Sequence, residues 1–253
     1  MKDIAASRIR FKSPPLVELV LGAQFEKPFL SPEVVYQLYR DYFGSKFPTI
    51  QEREIVPTTI EKLDKETILS VPGHFQARKL FVNRANDELI QLQPDKFLYN
   101  WRRSKEGDTY PHFESVYSTF KDNLDLILKI APNERINQLE ITYVDHIEHP
   151  DFKIREFDLS TIFSFIKLPS IRGIDFKSSF IQPAINSNLY LTIRTAFTNV
   201  EKKPFIYVET TCRGFVASMS VEEWMIKARK SLVDFFLEIT TEEAHEKWGI
   251  LKE

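Results

Sequence analysis

The chain has 253 residues, of which 43% are hydrophobic and 28% charged, with 21 phenylalanines and a formal net charge of −2. This apolar mass is enough for a folded core and excludes a mainly disordered chain. The near-neutral charge excludes the global positive field of a general nucleic-acid binder and leaves room only for a local basic patch. The single cysteine excludes a disulfide scaffold and a cysteine-rich zinc site.

Nothing in the sequence resembles a targeting or membrane segment. Residues 1–12 are mixed polar and basic, without the apolar stretch of a secretory signal. No stretch approaches the roughly 18 uninterrupted apolar residues of a membrane span. A lone cysteine also suits a reducing compartment. The sequence therefore predicts no membrane partner, and a cytoplasmic location is the default expectation.

A strand and a helix open the first half of the chain. Residues 17–25 alternate between apolar and polar side chains, which predicts a half-buried strand. Ser31 and Pro32 supply an N-cap and a first-turn proline, and the apolar spacing that follows predicts an amphipathic helix over 31–43. A long helix is predicted over 111–130, where Pro132 stops it. Between the two helices, strands are predicted at 50–60, 67–71, 78–83, 88–93 and 97–103.

The second half follows the same order of elements. Ser220 and Glu223 form a capping box ahead of a helix that runs to about residue 238. Thr240 and Glu243 predict a second, short helix before the end. Ahead of these helices, the pattern predicts a strand at 139–147, a short helix at 158–166, and strands at 174–181, 188–197 and 205–213.

The repeated order indicates an internal duplication. The segment 17–19 aligns without a gap over 139–141, so that Glu18 falls over Glu140. The predicted fold class is α+β, with two tandem units of the helix-grip or TATA-binding-protein-like kind: a curved antiparallel sheet with long helices on one face. Such a fold carries no function by itself. We divide the chain into an N-terminal extension at 1–15 and two units, at 16–136 and 137–253, that form one body.

Five segments and one aromatic residue carry a recognisable pattern. They are Pro-Pro-Leu-Val-Glu at 14–18, Leu-Gly-Ala-Gln-Phe at 21–25, Leu-Gln-Pro-Asp-Lys-Phe-Leu-Tyr-Asn-Trp-Arg at 92–102, Tyr-Pro at 110–111 with Phe113, and Trp-Gly at 248–249. A further segment, Glu-Ile-Thr-Tyr-Val-Asp-His-Ile at 140–147, has Asp145 where the pattern has asparagine. Together they resemble a bacterial family of sporadically distributed, uncharacterised proteins. The resemblance implies no activity or catalytic residue, and the family's patchy distribution implies a mobile-element or defence setting.

Motifs for the common catalytic chemistries are absent from the sequence. There is no glycine-rich phosphate loop, no Gly-x-Ser-x-Gly elbow and no His-Glu-x-x-His. His146, Glu148 and His149 cluster beside a proline, which favours a solvated strand end over a metal site. Cys212 lies on the apolar phase of its strand, which is typical of a buried cysteine rather than a nucleophile. The sequence predicts no cofactor and no metal, and it favours a non-enzymatic role without excluding an enzyme.

The segment 96–105 is basic with interleaved aromatic residues, a composition that can stack bases and hold phosphates. Glu106 and Asp108 dilute its charge. Tyr99 and Trp101 share a phase with Phe97, which favours a position in the core. Nucleic-acid contact is therefore the weaker interpretation of this segment.

The candidate ligand- or partner-binding residues lie opposite the apolar phase of the predicted strands. Antiparallel sheets commonly expose one face, so a wet face is the simplest interpretation and a polar cleft is the functional alternative. Asn100 and Arg102 are expected to share a face opposite Tyr99 and Trp101, with a structural role. The candidates are Glu18, Gln24, Gln91, Gln93, Asn100, Arg102, Glu140 and His146.

The first strands of the two units are expected to lie side by side and antiparallel at the centre of the sheet. The matched register would place Glu18 near His146 and Gln24 near Glu140. Because a carboxylate favours the charged imidazolium, the pKa of His146 is expected above about 6.5.

Three functions are consistent with these patterns. The favoured one is non-enzymatic binding or assembly with another macromolecule, with a protein as the partner. The first alternative is a small-ligand-binding protein or enzyme that uses a polar cleft on the sheet or between the sheet and the helices. The second is a nucleic-acid-binding partner in a toxin–antitoxin or defence operon. An enclosed cavity would favour the first alternative, and a filled core with a flat exposed face would favour the macromolecular role.

Overall fold

The computed structural model describes residues 9–60, 68–70, 77–105, 107–148, 175–197, 204–216 and 218–252. The short helix predicted at 158–166 lies outside these residues. The helices are α1 (Pro32–Leu38), which continues as a π-helical turn at Tyr39–Phe43, α2 (His112–Ile130), a 3-10 turn at Pro183–Ile185, α3 (Val221–Glu238) and α4 (Glu242–Lys247). None of them is long and apolar enough to cross a membrane.

Thirteen strands are found in the described part of the chain. They are β1 (Ile9–Phe11), β2 (Leu16–Phe25), β3 (Thr49–Arg53), β4 (Thr58–Ile60), β5 (Ile68–Ser70), β6 (Arg78–Val82), β7 (Glu88–Gln93), β8 (Lys96–Arg102), β9 (Ile136–Glu148), β10 (Asp175–Gln182), β11 (Ser187–Phe197), β12 (Pro204–Phe215) and β13 (Ile250–Lys252). The single strand predicted at 50–60 is two strands, β3 and β4, and β4 pairs with β5 in a separate hairpin.

Nine strands form one antiparallel sheet in the order β10-β11-β12-β9-β2-β8-β7-β6-β3. In each half the opening strand pairs with the last strand of its meander: β2 with β8, and β9 with β12. The opening strands β2 and β9 then pair with each other, antiparallel, at the middle of the sheet. The predicted α+β class with an antiparallel sheet is confirmed, and so is the central pairing of the two opening strands.

Both long helices pack on the same face of the sheet. On β2, Leu19 and Leu21 lie opposite Trp101 and Tyr99 of β8, and the same phase continues onto β9. These side chains belong to one hydrophobic cluster with the buried stripes of α2 and α3. The stripes recur at helical spacing, as the sequence predicted. The cluster is the core that holds the two halves together.

The opposite face is not the wet surface that the sequence favoured. Gln24, Gln91, Gln93 and Asn100 lie on it and are at most 7% exposed. The segment that follows β3 covers part of this face, because the backbone of Val56 exchanges two hydrogen bonds with the Gln93 side chain. The prediction of an open polar face is wrong for this central region, because the protein covers polar groups that water was expected to reach and hydrogen bonds satisfy Gln91, Gln93 and Asn100.

The two ends of the described chain are joined. β1 pairs with β13, and the backbone amides of Lys12 and Ser13 donate to the carbonyls of Gly249 and Trp248. Residues 9–15 are therefore not a free extension. They run over the edge of the core, where they form one wall of a cavity.

Candidate functional site: a cavity between the sheet and α3

A cavity of about 80 Å³ lies between β9, α3, residues 9–16 and the loop that precedes α2. Its walls are mainly apolar and include Phe11, Leu16, Leu232 and Phe236. Polar groups reach it from five places in the chain. They are Arg10, Tyr110, His112, Tyr143, Asp145, Thr210 and Arg229.

Local structure explains how these groups come to face inward. Tyr143 and Asp145 lie on the helix-covered phase of β9, together with Ile141 and Ile147. Arg229 lies on the buried stripe of α3 with Leu232, so its guanidinium enters the core with the apolar side chains. The core-facing positions of β9 and α3 therefore carry polar side chains where the two elements meet at the cavity.

Asp145 is the most unusual of these groups. It is 4% exposed, and among the described residues the charge of Arg103, rather than a hydrogen bond, is what acts on its carboxyl. Burial raises the pKa of Asp145 to about 7, although the positive charge of Arg103 acts in the opposite direction. A buried carboxyl without a partner is costly, so it indicates either strain or a missing ligand.

Arg229 lies on the α3 side of the cavity. Its Nη1 donates to Oε1 of Glu114 at 3.1 Å, and its guanidinium lies 4.9 Å from the ring centre of Phe113. Arg10 approaches the same Glu114 oxygen at 3.5 Å. The Nε atom of Arg229 is buried without a hydrogen-bond partner in the described structure. Two guanidinium groups thus share one carboxylate, and one buried donor stays unused.

Two tyrosine hydroxyls complete the polar lining. Burial raises the pKa of Tyr143 to about 12 and the pKa of Tyr110 well above its ordinary value. Both hydroxyls therefore keep their protons near neutral pH and can donate. The Tyr110 hydroxyl is buried, and the Tyr143 hydroxyl is its neighbour in the cavity wall.

The backbone beside Tyr110 is strained. His112, the first residue of α2 and part of the cavity wall, has φ 66°, a left-handed conformation that costs a non-glycine residue about 1–3 kcal/mol. Such strain is found most often at functional sites, where the surrounding structure enforces it.

Three of the candidates from the sequence form a hydrogen-bonded chain across the opposite face. Gln91 Nε2 donates to Asn100 Oδ1 at 2.7 Å, and Asn100 Nδ2 donates to Glu18 Oε1 at 2.7 Å. Arg102 donates its Nε hydrogen to the backbone oxygen of Asn86 at 2.9 Å. These contacts fit the structural role expected for Asn100 and Arg102.

Glu140 lies near the centre of the same face, in a different environment. It accepts a hydrogen bond from Arg213 Nε at 2.8 Å and lies 3.9 Å from Lys96 Nζ. Burial alone would raise the pKa of Glu140, but Arg213 and Lys96 outweigh it, so the pKa is lowered. Its side chain crosses Gly22, where a Cβ atom would meet Glu140 Cγ at 2.5 Å. The ion pair fills this region and leaves no cleft.

The predicted register of the two opening strands is wrong by two residues. Glu18 lies opposite Val144 rather than His146, and Gln24 lies opposite Gln138 rather than Glu140. A bulge between Leu16 and Glu18 shifts the pairing locally. The expected strip of four residues does not form.

The expected rise in the pKa of His146 is wrong as well. Its ring packs 4.3 Å from the ring centre of Phe205. Partial burial and then the positive charge of Arg103 lower the pKa of His146.

The basic, aromatic segment after Pro94 does not form a base-stacking surface. Tyr99 and Trp101 are 1% and 5% exposed and lie in the core, while Lys96 is 2% exposed beside Glu140. Within the described residues, no group of three His, Cys, Asp or Glu side chains is placed to hold a metal ion.

The sequence did not predict the cavity residues, because the candidates were polar side chains that lie opposite the apolar phase of their strands. Asp145 breaks the apolar phase itself: the inward positions of 139–147 are Leu139, Ile141, Tyr143, Asp145 and Ile147. An acidic residue on an otherwise apolar strand face is the signal that could have found the site.

Comparison with known proteins gives little further information. No family model and no curated protein matches the sequence. Among solved structures, the chain is similar to Methanococcus jannaschii TBP, with 10% identity and a TM-score of 0.29, over 89% of this chain and 96% of that chain.

Proposed function

We propose that this protein binds a small polar molecule in the cavity between β9 and α3. The observation that supports the proposal is the convergence of buried polar groups on one space: the Asp145 carboxyl, on which Arg103 is the one charge that acts, the Arg229 Nε atom, which has no partner in the described structure, and the Tyr110 and Tyr143 hydroxyls. Buried polar groups are nearly always hydrogen-bonded, so polar groups left incomplete at one cavity favour a ligand that completes them.

The dimensions of the cavity favour a molecule of a few non-hydrogen atoms. Its volume of about 80 Å³ is roughly half that of an engineered apolar cavity of about 150 Å³ that binds benzene. A nucleotide or a peptide does not fit inside a cavity of this volume. The macromolecular partner expected from the sequence stays a prediction. Such a partner would bind at a different surface of the protein.

A fragment screen tests the proposal. Ligand-observed NMR would be recorded with a library of small polar fragments on the wild type and on Val233→Trp, which places an indole at the half-buried wall of the cavity. Ile226→Trp, on the same helix but outside the cavity lining, is the matched control. We expect fragments that bind the wild type and Ile226→Trp and lose their signal with Val233→Trp.

Circular dichroism and the melting temperature would show that both variants fold. If no fragment depends on the cavity, either because none binds or because binding survives Val233→Trp, the proposal is wrong.

A further inference from the structure

We infer that the ligand is a short organic acid that also carries an amino or hydroxyl group, with its carboxylate at Arg229 and Tyr110 and its N–H or O–H donor at Asp145. The inference rests on the proposed function of the cavity. It adds the chemical class of the ligand and its orientation.

The α3 side of the cavity is built to receive an anion. Arg10 and Arg229 both approach Glu114, so one positive charge at this end is not balanced by the carboxylate. Arg229 Nε is a buried donor without a partner in the described structure, and the Tyr110 and Tyr143 hydroxyls lie beside each other here. A carboxylate accepts hydrogen bonds only, and it would supply the missing charge and the missing acceptor together.

The opposite end of the cavity is built to receive a donor. Asp145 presents carboxyl oxygens without a partner in the described structure. The nearest charged influence on it is Arg103, whose Nη2 is already occupied by the carbonyl of Pro14 at 3.2 Å. An amino or hydroxyl group of a ligand would satisfy these oxygens, whereas a second acid group would be repelled.

The spacing of the two ends sets the length of the ligand. Tyr143 and Asp145 are two residues apart on one strand face, which is about 6.6 Å along β9. The electrostatic influence of Arg229 reaches Tyr143, so the anion-binding end lies near this residue. A chain of roughly two to four carbons would separate the two functional groups by this distance. Its methylene groups would contact Leu232 and Phe236.

Apolar walls also explain why a longer, more polar molecule is a poor fit. Sugars and phosphorylated compounds carry many hydroxyl or phosphate oxygens, and burial among apolar side chains leaves them without partners. Besides the groups at its two ends, the cavity lining offers His112 and Thr210, which are too few for the many oxygens of such a molecule.

A matched set of probes tests the class. Isothermal titration calorimetry would compare 3-aminopropanoate, 4-aminobutanoate and 3-hydroxypropanoate with propanoate, propylamine and succinate, each of which lacks one of the two features. We expect at least one bifunctional probe to bind ten or more times more tightly than all three comparison compounds.

Variants assign the two ends. Asp145→Asn should weaken the best amino-acid probe to the level of propanoate, and Tyr110→Phe should weaken both that probe and propanoate. Tyr110→Phe removes the hydroxyl and keeps the ring that packs 5.2 Å from the Trp101 ring centre, so the fold should be retained. Asp125→Asn, on the exposed side of α2, is the control and should bind like the wild type.

The outcomes separate the ligand class from the proposed function. If succinate or propylamine binds as tightly as the bifunctional probes, or if none of the probes binds, the ligand class is wrong. The proposed function still holds in both cases, provided that other fragments lose their signal with Val233→Trp. If the probes bind equally well to Val233→Trp, the cavity is not the site and both proposals fail.

Discussion

The two long helices lie on the same face of the sheet, but they fill it differently. Along α2, Phe113, Phe120 and Ile127 are at most 1% exposed, and Phe120 stacks on Phe97 of β8 with ring centres 5.3 Å apart. Along α3, the buried stripe includes Arg229, and Phe236 is only partly buried at the edge of a cavity. The same order of strands and helices thus supports a filled core in one half and a polar cavity in the other.

The difference arises from side chains rather than topology. In both halves the opening strand pairs with the last strand of the meander and a long helix crosses them. A few polar residues on inward positions of β9 and α3 replace apolar side chains that would otherwise close the core. Because unpartnered polar groups destabilise a fold, we expect the half with the cavity to sacrifice stability for its site.

The largest expected effect tests the filled half. Phe120→Ala should lower the free energy of unfolding by about 3–5 kcal/mol, because the side chain is fully buried against the sheet. Phe236→Ala should cost only about 1–2 kcal/mol, because part of its surface already faces water or the cavity. Urea denaturation measures both, and equal losses would contradict the difference between the halves.

The next effect concerns the junction of the halves. Glu140 of β9 lies between Arg213 of β12 and Lys96 of β8, and the Lys96 side chain is 2% exposed. Glu140→Gln should lower the free energy of unfolding by about 3 kcal/mol, because it removes the negative charge that lies 3.9 Å from the buried Lys96 ammonium. Asp175→Asn, which disrupts the exposed pair with Arg194, is the control and should change stability by less than about 1 kcal/mol. A small effect at Glu140 would show that solvent screens this junction.

Alternation and capping signals predicted most of the regular structure. β7 was predicted at 88–93 and lies at Glu88–Gln93, and Ser31 and Ser220 cap their helices as expected. The pairing of β1 with β13 could not be predicted, because each strand has three residues and no alternating pattern. The register of β2 on β9 differs by two residues from the one that the matched patterns predict, because a shift of two residues keeps every side chain on the same face and alternation cannot detect it.

The candidate site was predicted less well, for two physical reasons. Hydrogen bonds between neighbouring strands bury the polar face, so polarity there does not indicate a cleft: Asn100 is a structural link between Gln91 and Glu18. Arg229 enters the cavity only because α3 packs against β9 and because Glu114 of α2 accepts one of its hydrogen bonds. Such contacts between distant segments follow from tertiary packing, whereas Asp145 on the apolar face of β9 was visible in the sequence.

The third effect tests whether the cavity costs stability. The pKa of Asp145 is about 7 in the folded protein and about 3.8 in an unfolded chain, so the folded state holds its proton more tightly. The stability it contributes is complete below about pH 4 and is lost as the pH rises to about 7. At pH 8, Asp145→Asn should stabilise the protein by about 2 kcal/mol, since each pKa unit corresponds to about 1.4 kcal/mol and water in the cavity relaxes part of the shift. At pH 4 the two proteins should be equally stable.

Denaturation at several pH values measures this difference. The groups that bear on the result are Arg103, which faces Asp145, and Tyr143, which neighbours it on β9. Asp125→Asn, at an exposed position, should show no such crossover. If the stability gain of Asp145→Asn were the same at pH 4 and pH 8, the carboxyl would be ionised at both, and its isolation in the cavity would be disproved.

The smallest effect tests which charged residue sets the pKa of His146 near the end of β9. Glu18 lies opposite Val144, so Glu18→Gln should leave the pKa of His146 as it is in the wild type. Arg103 and partial burial lower that pKa, so Arg103→Gln should raise it toward the ordinary value of 6.5. The same substitution should raise the pKa of Asp145, because it removes a positive charge that favours the carboxylate. NMR titration of the His146 ring and the Asp145 carboxyl measures both groups in one series. A fall in the His146 pKa on Glu18→Gln would instead mean that the carboxylate and the imidazole interact across the diagonal of the β2–β9 pair.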